Sequence, residues 1–80
     1  MNEILAQRLK KCRKEAGLSQ WEMAVYCDIT ERAYQNYERM VRLPRIDILV
    51  RMADQLHVSL DYLTGRTDDP AIGQKNLADK

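Results

Sequence analysis

The chain has 80 residues, with 13 Lys+Arg against 12 Asp+Glu, and is 45% hydrophobic and 31% charged. This is the composition of one small globular domain, not of a disordered or polybasic tail. The near-zero total hides a split. Residues 1–51 hold 10 basic and 7 acidic side chains, a net of +3; residues 52–80 hold 3 and 5, a net of −2. The longest apolar run is the five residues 23–27, far below the ~20 that cross a bilayer, so no membrane partner is expected. The N-terminus is charged and periodic, unlike a secretory leader. Two cysteines are too few for a disulfide framework and point to a reduced, cytoplasmic location. So short a chain buries only a modest core, and a partner subunit is expected to add stability.

The first helix is expected over residues 3–16. Leu5, Leu9, Cys12 and Ala16 form one stripe at spacings of 4, 3 and 4. Arg8, Lys10, Lys11, Arg13 and Lys14 crowd its last turns and read first as a solvated face, with contact to a nucleic-acid backbone as the alternative. Gly17 stops the helix in the left-handed conformation, and Leu18 folds back on the stripe. Ser19-Gln20-Trp21-Glu22 is a capping box opening a second helix at 20–27, with Met23, Ala24 and Cys27 inward. Trp21 and Val25 point outward, four residues apart, as candidates for a dimer or partner surface.

Asp28-Ile29-Thr30 breaks the chain, and Thr30 caps a third helix over about 31–39. At about 100° per residue, Glu31, Arg32, Gln35 and Asn36 share an arc of roughly 140°. Ala33, Tyr34 and Tyr37 take the packing side, with the tyrosine hydroxyls expected at the surface. Residues 40–44 form a loop carrying Arg42, with Arg39 and Arg45 flanking it. Pro44 is expected to open a fourth helix reaching about Leu56, with Ile46, Leu49, Ala53 and Leu56 inward. His57 ends it and is a further candidate for an interface. Ser59 caps a last short helix over 60–64, which Gly65 closes. Residues 66–80 form a tail in which Asp69-Pro70 suggests another turn of helix or a dimerisation arm. No stretch alternates with period two, so no sheet is expected.

Two short helices joined by a three-residue turn, the second with a polar outer face, make a helix-turn-helix layout. Arg, Gln and Asn read base edges in the major groove bidentately, which gives their clustering its weight. Alone, one polar face is a weak signal, since most are merely solvated.

Arg13-Lys14-Glu15-Ala16-Gly17-Leu18-Ser19-Gln20, Met23-Ala24, Ile29-Thr30, Tyr37-Glu38 and Val58-Ser59-Leu60-Asp61-Tyr62-Leu63-Thr64-Gly65 together resemble the Cro/phage-repressor-like family, also called the xenobiotic-response-element family. The resemblance spans about residues 4–65. It implies an all-α, five-helix, lambda-repressor-like DNA-binding domain over 1–65, followed by a tail at 66–80. It also implies a transcriptional regulator, expected to be a repressor, acting as a homodimer on a palindromic double-stranded operator. Base reading falls by this resemblance to Glu31, Arg32, Gln35 and Asn36, and phosphate contact to Ser19, Gln20, Thr30, Arg42 and Arg45. Arg13 and Glu38 match an internal ion pair between the first and third helices. Glycine is usual in the family at Asp28, Met40 and His57, and methionine is a poor substitute, so the loop at Met40 is expected to be reshaped.

Rival readings come from other classes. An antitoxin or similar protein-interaction module would use Trp21, Val25 and the acidic tail. No enzyme is expected, since neither a nucleophile–base pair nor a phosphate-binding glycine loop occurs. No cofactor or metal is expected either, because Cys12 and Cys27 face the core with no ligand at metal spacing.

Overall fold

The computed structural model describes residues 2–72, and within them the chain is helical with no strand. Helix α1 spans Asn2–Glu15, α2 Gln20–Cys27, α3 Glu31–Glu38, α4 Ile46–Leu56 and α5 Leu60–Leu63. This is the five-helix lambda-repressor type of fold. Three starts are built by hydroxyl caps: Ser19, Thr30 and Ser59 each accept from the backbone N–H three residues on. At α2 the box is complete, because Ser19 N also donates to Glu22 Oε1 at 2.8 Å.

All five helices stop in the same way. After each, one residue turns left-handed: Gly17, Asp28, Met40, His57 and Gly65, with φ between 58° and 88°. The next N–H then reaches back five residues: Leu18 to Arg13, Ile29 to Ala24, Val41 to Asn36, Val58 to Ala53 and Arg66 to Asp61. That pairing satisfies carbonyls the helix end would otherwise orphan. Only two of the five positions are glycine, so Asp28, Met40 and His57 hold a strained conformation against their own side chains. Met40 therefore takes the left-handed turn despite its residue type. The satisfied carbonyls outweigh the strain, and the chain keeps the turn.

Packing gathers on one core of Leu5, Leu9, Met23, Cys27, Tyr34, Met52 and Leu63, each at most 2% exposed. Helix α2 lies between α3 and α4, while α1 closes over α3 and α5. Several expectations are corrected here. Ala16 is exposed, because α1 ends at Glu15 and leaves it in the turn, and Ala6 is buried instead. Pro44 does not open α4. Arg45 is its N-cap, and Ile46 is 68% exposed at the edge of the stripe in the first turn. The inward face is Ile48, Leu49, Met52, Ala53 and Leu56. Tyr34 is fully buried and its hydroxyl donates inside the protein rather than at the surface.

The tail also begins differently from its composition. Residues 66–72 carry no helix but are strapped to the fold by polar contacts. Arg8 Nη1 donates to the carbonyls of Tyr62 and Thr67 at 2.6 and 2.7 Å, and Arg8 Nη2 to Asp68 Oδ1 at 2.8 Å. The same guanidinium stacks 4.2 Å from the centre of the Tyr62 ring. Ser59 N donates to Pro70 O at 3.0 Å. Arg8 is thus a structural clamp rather than a solvated cation. Residues 73–80, which hold the rest of the tail, lie outside the described residues.

Relief of strain gives a direct check. Met40 is half exposed, so its removal loses little burial. Met40→Gly should raise stability by about 0.5–1 kcal/mol, the left-handed penalty less the extra chain entropy of glycine. The expected rise in melting temperature is ~2–8 °C. An unchanged or lowered melting temperature would show that Met40 carries no strain.

Candidate nucleic-acid interface

The turn between α2 and α3 sets the outer face of α3. Thr30 Oγ1 accepts from Ala33 N at 3.1 Å, which holds the first turn of α3 open to solvent. A capping hydroxyl uses a lone pair and keeps its O–H as a donor, so Ser19 and Thr30 remain able to meet a phosphate. Glu31, Arg32, Gln35 and Asn36 come together in one shallow polar hollow. Arg39 completes it. At 100° per residue Arg39 falls near the middle of the same arc, so its signal was present in the spacing.

Beneath that hollow lies a network centred on Glu38. Arg13 Nε and Nη2 donate to the two Glu38 carboxylate oxygens at 2.7 and 3.2 Å, joining α1 to α3. These side chains are 10% and 3% exposed, so the pair is largely dry. Arg13 Nη1 also donates to Leu18 O at 2.9 Å, tying in the α1–α2 turn. Tyr34 donates its hydroxyl to Glu38 Oε2. From the first turn of α2, Gln20 Nε2 donates to Glu38 Oε1 at 3.1 Å, and Gln20 Oε1 accepts from Gln35 Nε2 at 3.2 Å. Among the described residues no buried side-chain N or O is left without a partner. Gln20, expected at a phosphate, also bridges the Glu38 network and the outer face of α3.

Burial by itself raises the Glu38 carboxyl, but hydrogen bonds from Arg13, Tyr34 and Gln20 outweigh it and hold the group below its ordinary 4.5. The bond to Glu38 correspondingly raises Arg13. Burial, and then the bond to Glu38, push the Tyr34 hydroxyl far up, so it stays a donor. Burial likewise raises the Cys12 and Cys27 thiols, which behave as small hydrophobes.

The remaining candidates are placed apart from the hollow. Val41 N and Arg42 N both donate to Asn36 O, at 2.9 and 3.4 Å, so the loop bearing exposed Arg42 is anchored on α3. Arg45 is exposed and forks Asp47 at 3.2 and 3.1 Å. Trp21 and Val25 are 60% and 52% exposed on α2, next to half-exposed Tyr26. His57 is exposed at the end of α4. No cluster of three or more metal-ligating side chains occurs among the described residues.

A capped helix-turn-helix with a polar, Arg- and amide-lined outer face defines a DNA-reading class of domain. A helix-turn-helix family model matches residues 9–63. The chain belongs to this Cro/C1-type family, whose members are DNA-binding transcriptional regulators and not enzymes. It is 37% identical over 75 residues to the HTH-type transcriptional regulator ImmR of Bacillus subtilis, covering 94% of this chain and 57% of that one. It is also 37% identical over 76 residues to the uncharacterized HTH-type transcriptional regulator YobD of Bacillus subtilis, covering 92% and 68%. Over 62 residues it is 37% identical to the cryptic phage CTXphi transcriptional repressor RstR of Vibrio cholerae, covering 78% and 55%. The chain thus spans little more than half the length of two of these relatives. No solved structure matches significantly.

The ion pair sets a pH dependence whose sign is fixed. The folded carboxyl titrates below the unfolded one, so the unfolded chain binds the extra proton in between. Stability from this group is full above pH 4.5 and is lost as pH falls through the folded value. Glu38→Gln should cost about 3–5 kcal/mol at neutral pH, since it leaves Arg13 buried and unpaired. It should also flatten the acid side of a stability profile measured by urea unfolding. An acid slope equal to that of the native chain would place the titrating group elsewhere.

Proposed function

We propose that this chain is a sequence-specific, double-stranded DNA-binding transcriptional regulator that acts as a repressor. It binds as a symmetric homodimer to a palindromic operator, with α3 of each copy in successive major grooves. Half-sites are then spaced about 10–10.5 bp. The observation that carries this reading is the single hollow formed by Glu31, Arg32, Gln35, Asn36 and Arg39. Arg32 suits a guanine, Gln35 or Asn36 an adenine, and Glu31 a cytosine amine. Ser19, Thr30, Arg42, Arg45 and the first amides of α2 contact phosphates, which fix register without carrying sequence. Gln20 joins them through its second Nε2 proton. RstR, a relative, is named a transcriptional repressor, which supports that sense of regulation. DNA as the partner implies a cytoplasmic location; no described helix is long and apolar enough to cross a membrane.

Residues 1–65 form the DNA-binding domain in this reading and 66–80 an arm. The candidate dimer face is the end of α4, residues 57–59 and the arm, where Val50, Ala53, Val58, Leu60 and Ile72 line an apolar groove. A second reading draws on exposed Trp21, Val25 and Tyr26: an antitoxin-like module whose main partner is another protein. Co-purification of a stoichiometric partner would favour it.

Selection of bound duplexes from a random library tests the first reading. A palindrome with the stated spacing is expected. Arg32→Ala should cost ~1–3 kcal/mol and relax one base pair, whereas Arg42→Ala should weaken all sequences alike and reduce the salt slope by about one. The same operator preference from both variants would contradict this division of roles.

A further inference from the structure

The arginines of α3 and of the loop that follows it are not equivalent. Among the described residues Arg32, Arg39 and Arg42 have no ion-pair partner, whereas Arg45 is held by a carboxylate two residues on. Arg45 Nε and Nη2 donate to the two oxygens of Asp47 at 3.2 and 3.1 Å. Two N–H groups side by side are the fork with which a guanidinium grips a phosphate, so Asp47 occupies a phosphate-binding edge of Arg45. The contact is built by local chain geometry. Arg45 is the N-cap of α4 and Asp47 lies in its first turn, where the helix end favours an anion. Desolvation raises the Asp47 carboxyl, but the hydrogen bonds and charge of Arg45 outweigh it and hold the group below its ordinary 3.8. Asp47 is therefore charged at neutral pH. With side chains 78% and 53% exposed, the pair is a weak surface one that can exchange for an external anion.

We propose that Asp47 is an internal competitor of DNA, which stands in for phosphate on Arg45 and holds down affinity for every sequence alike. The inference rests on the DNA-reading function proposed above. To grip a phosphate through the same fork, Arg45 must first release Asp47. The released carboxylate then lies beside the polyanion and repels it. Both effects weaken binding. Neither involves a base edge, so the preferred sequence does not depend on Asp47. One side chain thus serves the start of α4 and restrains the cation next to it.

The test compares the full chain with Asp47→Asn, Arg45→Met and the double variant, at a temperature where melting curves show all four folded. Asp47→Asn keeps the shape of the side chain but carries no charge. Dissociation constants are measured for the selected operator and for a random duplex at about 50 and 200 mM salt. Asp47→Asn should bind both duplexes ~3–10-fold tighter, the effect of one added phosphate contact, and should select the same motif. Its salt slope should steepen by about one, so that the gain is about threefold larger at the lower salt. In the Arg45→Met background the same change should gain less than about twofold, the screened effect of one exposed charge. Native or weaker affinity in Asp47→Asn overturns the competition. So does an equal gain without Arg45, or a changed base preference. These three outcomes leave the DNA-reading function standing. Failure of the native chain to select any motif overturns that function and the inference with it.

Discussion

The Glu38 carboxylate is the point at which three helices are joined by one charge. Arg13 arrives from α1, Gln20 from α2 and Tyr34 from the preceding turn of α3, and each presents a donor. Such a group costs several kcal/mol to desolvate, and only full satisfaction of its oxygens makes it tolerable. A hydrophobic cluster in the same place could be as stable. It would not dictate which end of an amide faces outward. The carboxylate contributes registry: it fixes α3 against α1 and α2, and through Gln20 it reaches the outer face at Gln35. The link from the core to the outer face of α3 runs through this one side chain.

Charge distribution makes the same division visible at larger scale. The formal total of +1 says little about partners. Arg32 and Arg39 border the polar hollow of α3 and Arg42 follows on the loop anchored to Asn36. Asp54 and Asp61 flank the apolar groove of α4 and α5. With so little net attraction to a polyanion, non-specific binding is expected to be weak and salt-sensitive, leaving affinity to a few placed contacts.

Most of the fold was legible because helix ends carry local chemistry. The hydroxyl caps at Ser19, Thr30 and Ser59 and the glycines at 17 and 65 mark boundaries without reference to the rest of the chain. The left-handed turn at Met40 was not legible from residue type, since two satisfied backbone carbonyls decide it, whereas Asp28 and His57 are types that tolerate the conformation. Ile46 misled because a stripe has edges and the first turn overhangs the core. Residues 66–72 are held by the backbone carbonyls of Thr67 and Pro70, which the low apolar content of this stretch does not report.

The site was legible as a face but not as a circuit. Spacing alone brings Glu31, Arg32, Gln35 and Asn36 together, and Arg39 falls in the same arc at the end of the helix. That Gln20, fifteen residues before Gln35, holds its amide depends on how α2 crosses α3, which no periodicity reports. The most direct measurement is an NMR titration of the protein with its selected operator duplex. The account predicts the largest shifts at Glu31, Arg32, Gln35, Asn36 and Arg39, with Val25 and Tyr26 unmoved. Shifts concentrated on Trp21, Val25 and Tyr26, with α3 silent, would contradict it.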